Sequence, residues 1–138
     1  MAGYSSTPLA KKLGIKEGSR IGLVNAPQGF KFELGPLPDG VTFVTRITNS
    51  LDIILFFVLK ERELARDFTK LAGKLVPNGM IWIAWPKKSS GVATDLSFDR
   101  VQRIGLDGGL VDVKICAVDD TWSGLKFVYR VKDRPKPQ

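Results

Sequence analysis

Histidine is absent from this chain of 138 residues, and its absence excludes several common kinds of active site. A Ser-His-Asp triad or a Cys-His pair cannot be built within the chain. Zinc sites made of several histidine and cysteine ligands are excluded as well, because the sequence holds one cysteine, Cys116. The residues therefore predict no catalytic group of these kinds, no metal site and no cofactor.

Disulfide bonds and long apolar runs are also missing. Cys116 has no partner within the chain, so we expect a reduced, partly buried strand residue. The longest apolar run, "IILFFVL" from residue 53, is much shorter than the roughly 20 residues of a membrane helix, and the first residues lack the apolar core of a signal peptide. We expect one cytoplasmic domain over residues 1–138, with a helical lead-in at 1–19 and a flexible basic tail at 133–138.

Basic residues outnumber acidic ones by 21 to 14, which gives a formal net charge of +7. A positive balance favours anionic partners. The lysines and arginines are nevertheless spread along the chain with no dense basic helix, and this spread disfavours nucleic acid. An anionic small molecule or a protein partner is the expected ligand.

The clearest pattern is a strand, a helix and a second strand. "DIILFFVL" from Asp52 is continuously apolar, which predicts a central parallel strand buried on both faces. The next segment carries an apolar helical stripe that "PNG" should end, made of Leu64, Phe68, Leu71 and Leu75. "MIWIAWP" at 80–86 predicts a second buried strand, joined to the first by a right-handed crossover.

Shorter elements surround this unit. Thr7 and Pro8 favour the start of a short helix. "RIGLVNAP" at 20–27 predicts a strand closed by Asn-Ala-Pro, and "VTFVTRIT" at 41–48 predicts another. Further on, either Asp95 or Ser97 can cap a helix that ends at a pair of glycines, 108 and 109.

Two alternating segments, "LVDVKICAV" and "LKFVYRV", close the chain, and only "DDTWSG" separates them. A connection this short requires an antiparallel hairpin. We interpret Asp119 and Asp120 as turn residues before Thr121. The sequence thus predicts a three-layer, Rossmann-like α/β fold with a mostly parallel mixed sheet and a C-terminal antiparallel hairpin.

This order of elements resembles the class I S-adenosylmethionine-dependent methyltransferase fold, and "LGIKEGSRIGLVNAP" resembles the approach to its first strand. Four segments, "LAKKLGIK", "LGPLP", "AWPKKSSGVATDL" and "CAVDDTWSGLKFV", together resemble a family of small bacterial proteins catalogued only as a domain of unknown function. That second resemblance implies a family context without an assigned activity.

The methyltransferase resemblance implies a glycine-rich cofactor loop after the first strand, but this chain has "NAPQGF", in which Pro27 lacks an amide donor and Gly29 is the one glycine. It also implies an acidic residue near the end of the second strand, where the candidates here are Thr45, Arg46 and Thr48.

From these departures we interpret the chain as a non-enzymatic binding or regulatory domain on a methyltransferase-like scaffold. Two alternatives stay open. One is a small enzyme or sensor that binds a phosphorylated or nucleotide-like metabolite, and the other is an active methyltransferase.

The segment "AWPKKSSGVATDL" follows a predicted parallel strand at its carboxyl end, where open α/β sheets bind ligands. Lys87 and Lys88 supply positive charge, Ser89 and Ser90 supply hydroxyls, and Gly91 permits close backbone approach. These five residues form a candidate anion site.

A structural interpretation of the same segment stays open, in which the lysines are solvated and Asp95 caps the next helix. Trp85 and Trp122, at the ends of predicted strands, either line one cleft beside this loop or cover the core.

Overall fold

Six strands form one mixed sheet in the computed structural model of the chain, which describes residues 7–44 and 46–134. The strands are β1 (Arg20–Val24), β2 (Thr42–Val44), β3 (Leu51–Phe57), β4 (Leu75–Pro86), β5 (Leu110–Ala117) and β6 (Trp122–Tyr129). Their order is β2-β1-β3-β4-β6-β5. The first four strands of this order are parallel, and β6 pairs antiparallel with both β4 and β5. The predicted mostly parallel α/β sheet with a C-terminal hairpin is confirmed.

Helices of unequal length cover the two faces of this sheet. They are α1 (Leu9–Lys12), α2 (Phe30–Glu33), α3 (Glu61–Ala72) and α4 (Phe98–Asp107), with 3₁₀ turns at Lys88–Ser90 and Val131–Asp133. The apolar stripes of α3 and α4 pack on one face, which we call the long-helix face. The single turns α1 and α2 pack on the other, the short-helix face.

The continuously apolar β3 lies between β1 and β4 in the sheet. Its side chains alternate between two separate cores, with Ile54 and Phe56 on the long-helix face and Ile53 and Leu55 on the short-helix face. All four are at most 2% exposed, so neither face of the strand tolerates a polar residue. The predicted central strand is confirmed.

The predicted end of the long helix is wrong. Helix α3 ends at Ala72, and Leu75, which was predicted to belong to the helical stripe, is the first residue of β4. β4 begins five residues earlier than predicted and contains the "PNG" segment. The pairing of β3 with β4 shifts here, since Leu51 pairs with Leu75 whereas Ile53 pairs with Met80. A bulge of this kind accommodates a proline that cannot donate a ladder hydrogen bond.

One loop supplies the capping residues of both long helices. Ser97 caps α4, because its Oγ accepts the N–H of Arg100 at 3.3 Å. Asp95 instead serves α3, where its Oδ1 accepts the N–H of Glu61 at 2.7 Å. The loop before α4 therefore ties the amino ends of both helices together.

The chain ends in the predicted hairpin. β5 is the edge strand, and Cys116 is half-buried within it, as expected. Residues 131–133 form a 3₁₀ turn, so the predicted flexible tail begins in ordered backbone, and residues 135–138 lie outside the described part. Residues 1–6 of the predicted lead-in lie outside it too. None of the helices in 7–44 and 46–134 has the length and apolar character that crossing a bilayer demands.

Gly105 in α4 tests how closely the long-helix face is packed. A Cβ added there would lie 2.0 Å from Cε2 of Phe127, which is fully buried and stacks edge-on against Phe68. Alanine ordinarily favours a helix by about 1 kcal/mol over glycine. We expect Gly105→Ala instead to lower the free energy of unfolding by about 2 kcal/mol through overpacking, as measured by urea denaturation.

The matched control is the double variant Gly105→Ala/Phe127→Leu, in which the smaller side chain makes room for the new methyl group. It should be more stable than additivity of the two single changes predicts. A Gly105→Ala protein as stable as the unmodified one would contradict this packing.

Candidate functional site

The winding of the sheet reverses between β1 and β3. The connection after β1 leads to β2 on one side, and the next connection returns past β1 to β3 on the other side. Open α/β sheets bind ligands in the crevice at the carboxyl ends of the strands at such a point. A crevice of about 510 Å³ opens there, within the size range of small-molecule sites.

The crevice has an aromatic wall and a polar rim. Phe57, at the end of β3, and Trp122, at the start of β6, stack edge-on with ring centroids 5.1 Å apart. Asn25, Lys60 and Glu63 supply the polar rim. An apolar interior with a few charged groups at its edge suits a small ligand that carries both apolar and charged parts.

The loop after β1 forms one side of the crevice. β1 ends at Val24, directly before the Asn-Ala-Pro expected to close it, because Asn25 adopts a left-handed backbone with φ 59°. The Asn25 side-chain amide donates to the carbonyl of Phe57 at 3.4 Å and to Oε2 of Glu63 at 3.2 Å. Asn25 thus gives the chain the tight turn that a glycine would give and also connects the loop to α3.

Two other residues of this loop, Gly29 and Pro27, have opposite effects on how well its backbone can bind a ligand. Gly29 has a φ of 81°, and no heavy atom lies within 4 Å of the place where a Cβ would be, so a ligand can approach its backbone. Pro27 lines the crevice but has no N–H to offer.

The end of β2 lacks the acidic residue that the methyltransferase resemblance implies. β2 ends at Val44, and Arg46 and Thr48 after it are exposed. The third candidate, Thr45, lies outside the described residues.

A carboxyl pair beside Trp122 was not foreseen from the sequence. Asp119 Oδ1 accepts the N–H groups of Thr121 and Trp122 at 2.8 Å each, which confirms the turn role expected of Asp119. Burial, together with a side-chain hydrogen bond to Asp119 and its charge, raises the pKa of Glu33 to about 7. The sequence spacing of Glu33 and Asp119 does not predict this pair, because only the folded chain brings α2 next to the β5–β6 turn.

The predicted anion loop lies next to the same crevice, which it reaches through Val92. Ser90 Oγ donates to the Lys87 carbonyl at 2.6 Å and accepts the N–H of Val92 at 3.1 Å, so this hydroxyl holds the loop together. The Lys87 N–H donates to the Thr121 carbonyl at 2.8 Å.

Lys88, Ser89 and Gly91 are exposed, and Gly91 has a φ of 76°. Ser97 caps α4, and Asp95 binds the amino end of α3 instead. The structural interpretation in which Asp95 caps the helix after the loop is therefore wrong. Anion binding by this loop stays a prediction.

The two tryptophans do not line one cleft. Trp85 pairs with Ser123 and Pro86 pairs with Trp122, so the two indoles point to opposite faces of the sheet. Trp85 is buried on the long-helix face, whereas Trp122 packs on the short-helix face and lines the crevice. The alternative of core packing is correct for Trp85.

Solved structures of other proteins, methyltransferases among them, share this fold. The chain is similar to the fibrillarin pre-rRNA processing protein of Methanococcus jannaschii, with 15% identity over 91% of this chain and 70% of that one and a TM-score of 0.61. It is similar to a SAM-dependent methyltransferase of Aquifex aeolicus, with 14% identity over 86% of each chain and a TM-score of 0.62. The magnesium protoporphyrin IX methyltransferase of Synechocystis, with bound SAM, matches with 11% identity over 88% of this chain and 74% of that one and a TM-score of 0.57.

These likenesses correct the leading functional prediction. The interpretation as a non-enzymatic binding or regulatory domain is wrong, because the solved structures that share the fold include several methyltransferases, and these favour the methyltransferase alternative. No family model and no curated protein matches the chain, so the resemblance to a small bacterial family stays a prediction.

The raised pKa of Glu33 predicts how stability depends on pH. Between the ordinary value of 4.5 and about 7, the folded protein holds a proton that the unfolded chain has released, so the free energy of unfolding falls as pH rises. We expect Glu33→Gln to be more stable than the unmodified protein by about 1 kcal/mol at pH 8, a figure reduced because the side chain is exposed. The two should be equal below pH 4.5, as measured by denaturation at both pH values.

Asp119→Asn is the companion variant, since it keeps the turn acceptor and removes the charge beside Glu33. It should reduce the loss of stability on going from pH 4.5 to 8 without abolishing it, because burial is the larger cause. A Glu33→Gln protein with the same pH dependence as the unmodified one would contradict the carboxyl pair.

Proposed function

We propose that the chain is an S-adenosylmethionine-dependent methyltransferase whose cofactor binds in the crevice between the carboxyl ends of β1 and β3. The observation that carries the proposal is the position of this crevice, at the winding reversal of a sheet whose order the methyltransferase-like fold explains. Fold likeness alone does not establish an activity, so the residues of the crevice have to fit the cofactor.

The crevice residues fit the methionine end of the cofactor. Asn25 lines the crevice in a left-handed conformation, which turns the loop backbone there as a glycine would. The Glu63 carboxylate at the rim would attract the positive charges of the cofactor, which sit on its sulfur and its amino group. Phe57 and Trp122 would cover its apolar parts.

At the ribose end the chain departs from the usual pattern. Pro27 removes one amide donor from the loop, and Arg46 stands where a carboxylate would accept the ribose hydroxyls. We therefore expect weaker cofactor binding than an intact glycine-rich loop gives.

When bound, the cofactor supplies a methyl group on a positively charged sulfur. Phe57 and Trp122 line this part of the crevice with apolar rings, and an apolar surrounding strengthens the attraction of the Glu63 carboxylate for positive charge. The Glu33 carboxyl, whose pKa is raised to about 7, can exchange a proton near neutral pH. Glu33 lies beside Asp119, which anchors the backbone of Trp122 at the crevice wall.

Glu63→Gln tests this assignment. The substitution removes the rim charge and leaves an oxygen to accept the Asn25 amide. We expect the affinity for S-adenosylmethionine, measured by titration calorimetry, to fall about tenfold, the worth of one charge-assisted contact, with transfer of a labelled methyl group reduced in parallel.

Glu61→Gln is the matched control, because it removes the same charge from the same helix. Glu61 pairs with Arg100 and does not line the crevice, so this change should leave cofactor affinity unaltered. If the unmodified protein shows no saturable binding of S-adenosylmethionine at millimolar concentration, the proposed function is wrong.

A further inference from the structure

Four lysines meet on the short-helix face, and we call them the lysine cluster: Lys12, Lys16, Lys114 and Lys126. Lys114 and Lys126 lie directly opposite each other in the β5–β6 pair. Like charges in this relation destabilise a hairpin. Lys114 Nζ also donates to the Lys12 carbonyl at 3.4 Å, which brings the cross-strand pair against the end of α1.

Lys126 and Lys12 are half-buried, whereas Lys16 and Lys114 are exposed. The Lys126 Nζ lies 6.0 Å from the centroid of the buried Trp82 ring, a weak cation–π arrangement. Burial, with the charges of Lys114 and Lys16, lowers the pKa of Lys126. The cluster is therefore crowded enough for its members to disfavour one another's charge.

No carboxylate forms an ion pair with these lysines within the described residues. The side-chain ion pairs in this part of the chain join Arg66 to Asp67 and Arg100 to Glu61, and both lie on the long-helix side of the sheet. An uncompensated like-charge group breaks a rule that well-folded sequences follow, and such breaks are expected at functional sites. An anionic ligand would supply the missing charge.

The position of the cluster indicates what kind of anion it suits. Along β6, Lys126 is four residues from Trp122, which corresponds to about 13 Å in a strand. Both residues belong to the short-helix face, where Lys114 is exposed and Trp122 is half-buried at the crevice. Positive charge that tracks a backbone, followed by an aromatic ring on which a base can stack, is the arrangement that binds single-stranded nucleic acid.

We propose that the lysine cluster binds the phosphates of single-stranded nucleic acid and directs a base of that strand towards Trp122. Nucleic acid is then the class of methyl acceptor, a step that rests on the proposed function. The sequence disfavours this partner because it has no basic run. The fold nevertheless assembles a basic surface from residues of α1, the α1–β1 loop, β5 and β6.

The test is the binding of a fluorescently labelled 12-nucleotide oligouridylate to the whole protein, followed by anisotropy without cofactor over a range of salt concentrations. If each lysine neutralises one phosphate, log K should fall with log salt with a slope of about −2.8, at roughly 0.7 per phosphate for a single strand. Lys114→Ala/Lys126→Ala should reduce this slope by about 1.4 and weaken binding about 25-fold at 0.1 M salt. Its melting temperature should not fall, because a repulsion is removed.

The matched control is Arg62→Ala/Lys70→Ala, which removes the same charge from exposed positions of α3 on the opposite face. It should leave both affinity and slope unchanged. The same titration with an oligothymidylate distinguishes RNA from DNA as the preferred strand. Tighter binding of either strand supports the proposed nucleic-acid surface.

Equal affinity and equal salt slope of the two double variants would overturn the proposal. Displacement of the oligonucleotide by polyglutamate at the same charge concentration would also overturn it, because an acidic protein would then be the better ligand. The proposed function fails separately. Oligonucleotide binding without cofactor binding sinks methyl transfer alone, and cofactor binding without oligonucleotide binding sinks this surface alone.

Discussion

Burial of β3 on both of its faces is the constraint on which the rest of the structure depends. A strand whose side chains are almost all apolar needs a layer of cover on each side, and its backbone needs a strand on each edge. β1 and β4 supply the edges, while α3 and α4 on one face and α1 and α2 on the other supply the cover. The chain reaches both sides of β3 by reversing its winding between β1 and β3, and this reversal leaves the crevice open at their carboxyl ends.

The two layers are unequal, and the functional features lie on the thinner one. α3 and α4 have 12 and 10 residues, whereas α1 and α2 have four each. Single turns cover β1 and β3 but leave much of the hairpin's short-helix face to solvent. The half-exposed Trp122, the carboxyl pair of Glu33 and Asp119, and the lysine cluster all lie where long helices would otherwise cover the sheet.

Sequence patterns predicted the parts of the fold that local burial decides. β3 and the apolar residues Leu64, Phe68 and Leu71 of α3 follow from periodicity. The short "DDTWSG" connection requires the last two strands to form a hairpin. The bulge at residues 77–79 could not be found in this way, because it depends on the register of β4 against β3. The same limit applies to Asp95, whose partner Glu61 comes from another helix.

The candidate site was less predictable, because its charges are set by contacts distant in sequence. Periodicity places Trp85 and Trp122 at strand ends but does not give the pairing that sends them to opposite faces. The pairing of Glu33 with Asp119 likewise exists only once α2 packs beside the β5–β6 turn. The departures at Pro27 and Arg46 were visible in the sequence, yet they concern one end of a cofactor and leave the crevice at the other end intact.

The net charge of +7 is not spread evenly over the short-helix face, which has an acidic part and a basic part. Glu33 and Asp119 lie beside Trp122 at the crevice, and the lysine cluster lies farther along the same face, around Lys126. Negative groups near the crevice suit a cofactor whose reacting end is positive, whereas the lysines suit an acceptor that is negative away from its reacting atom. One surface of uniform sign could not attract both molecules. Separation over about 13 Å, at the spacing of strand residues, lets the same face hold two ligands of opposite charge side by side.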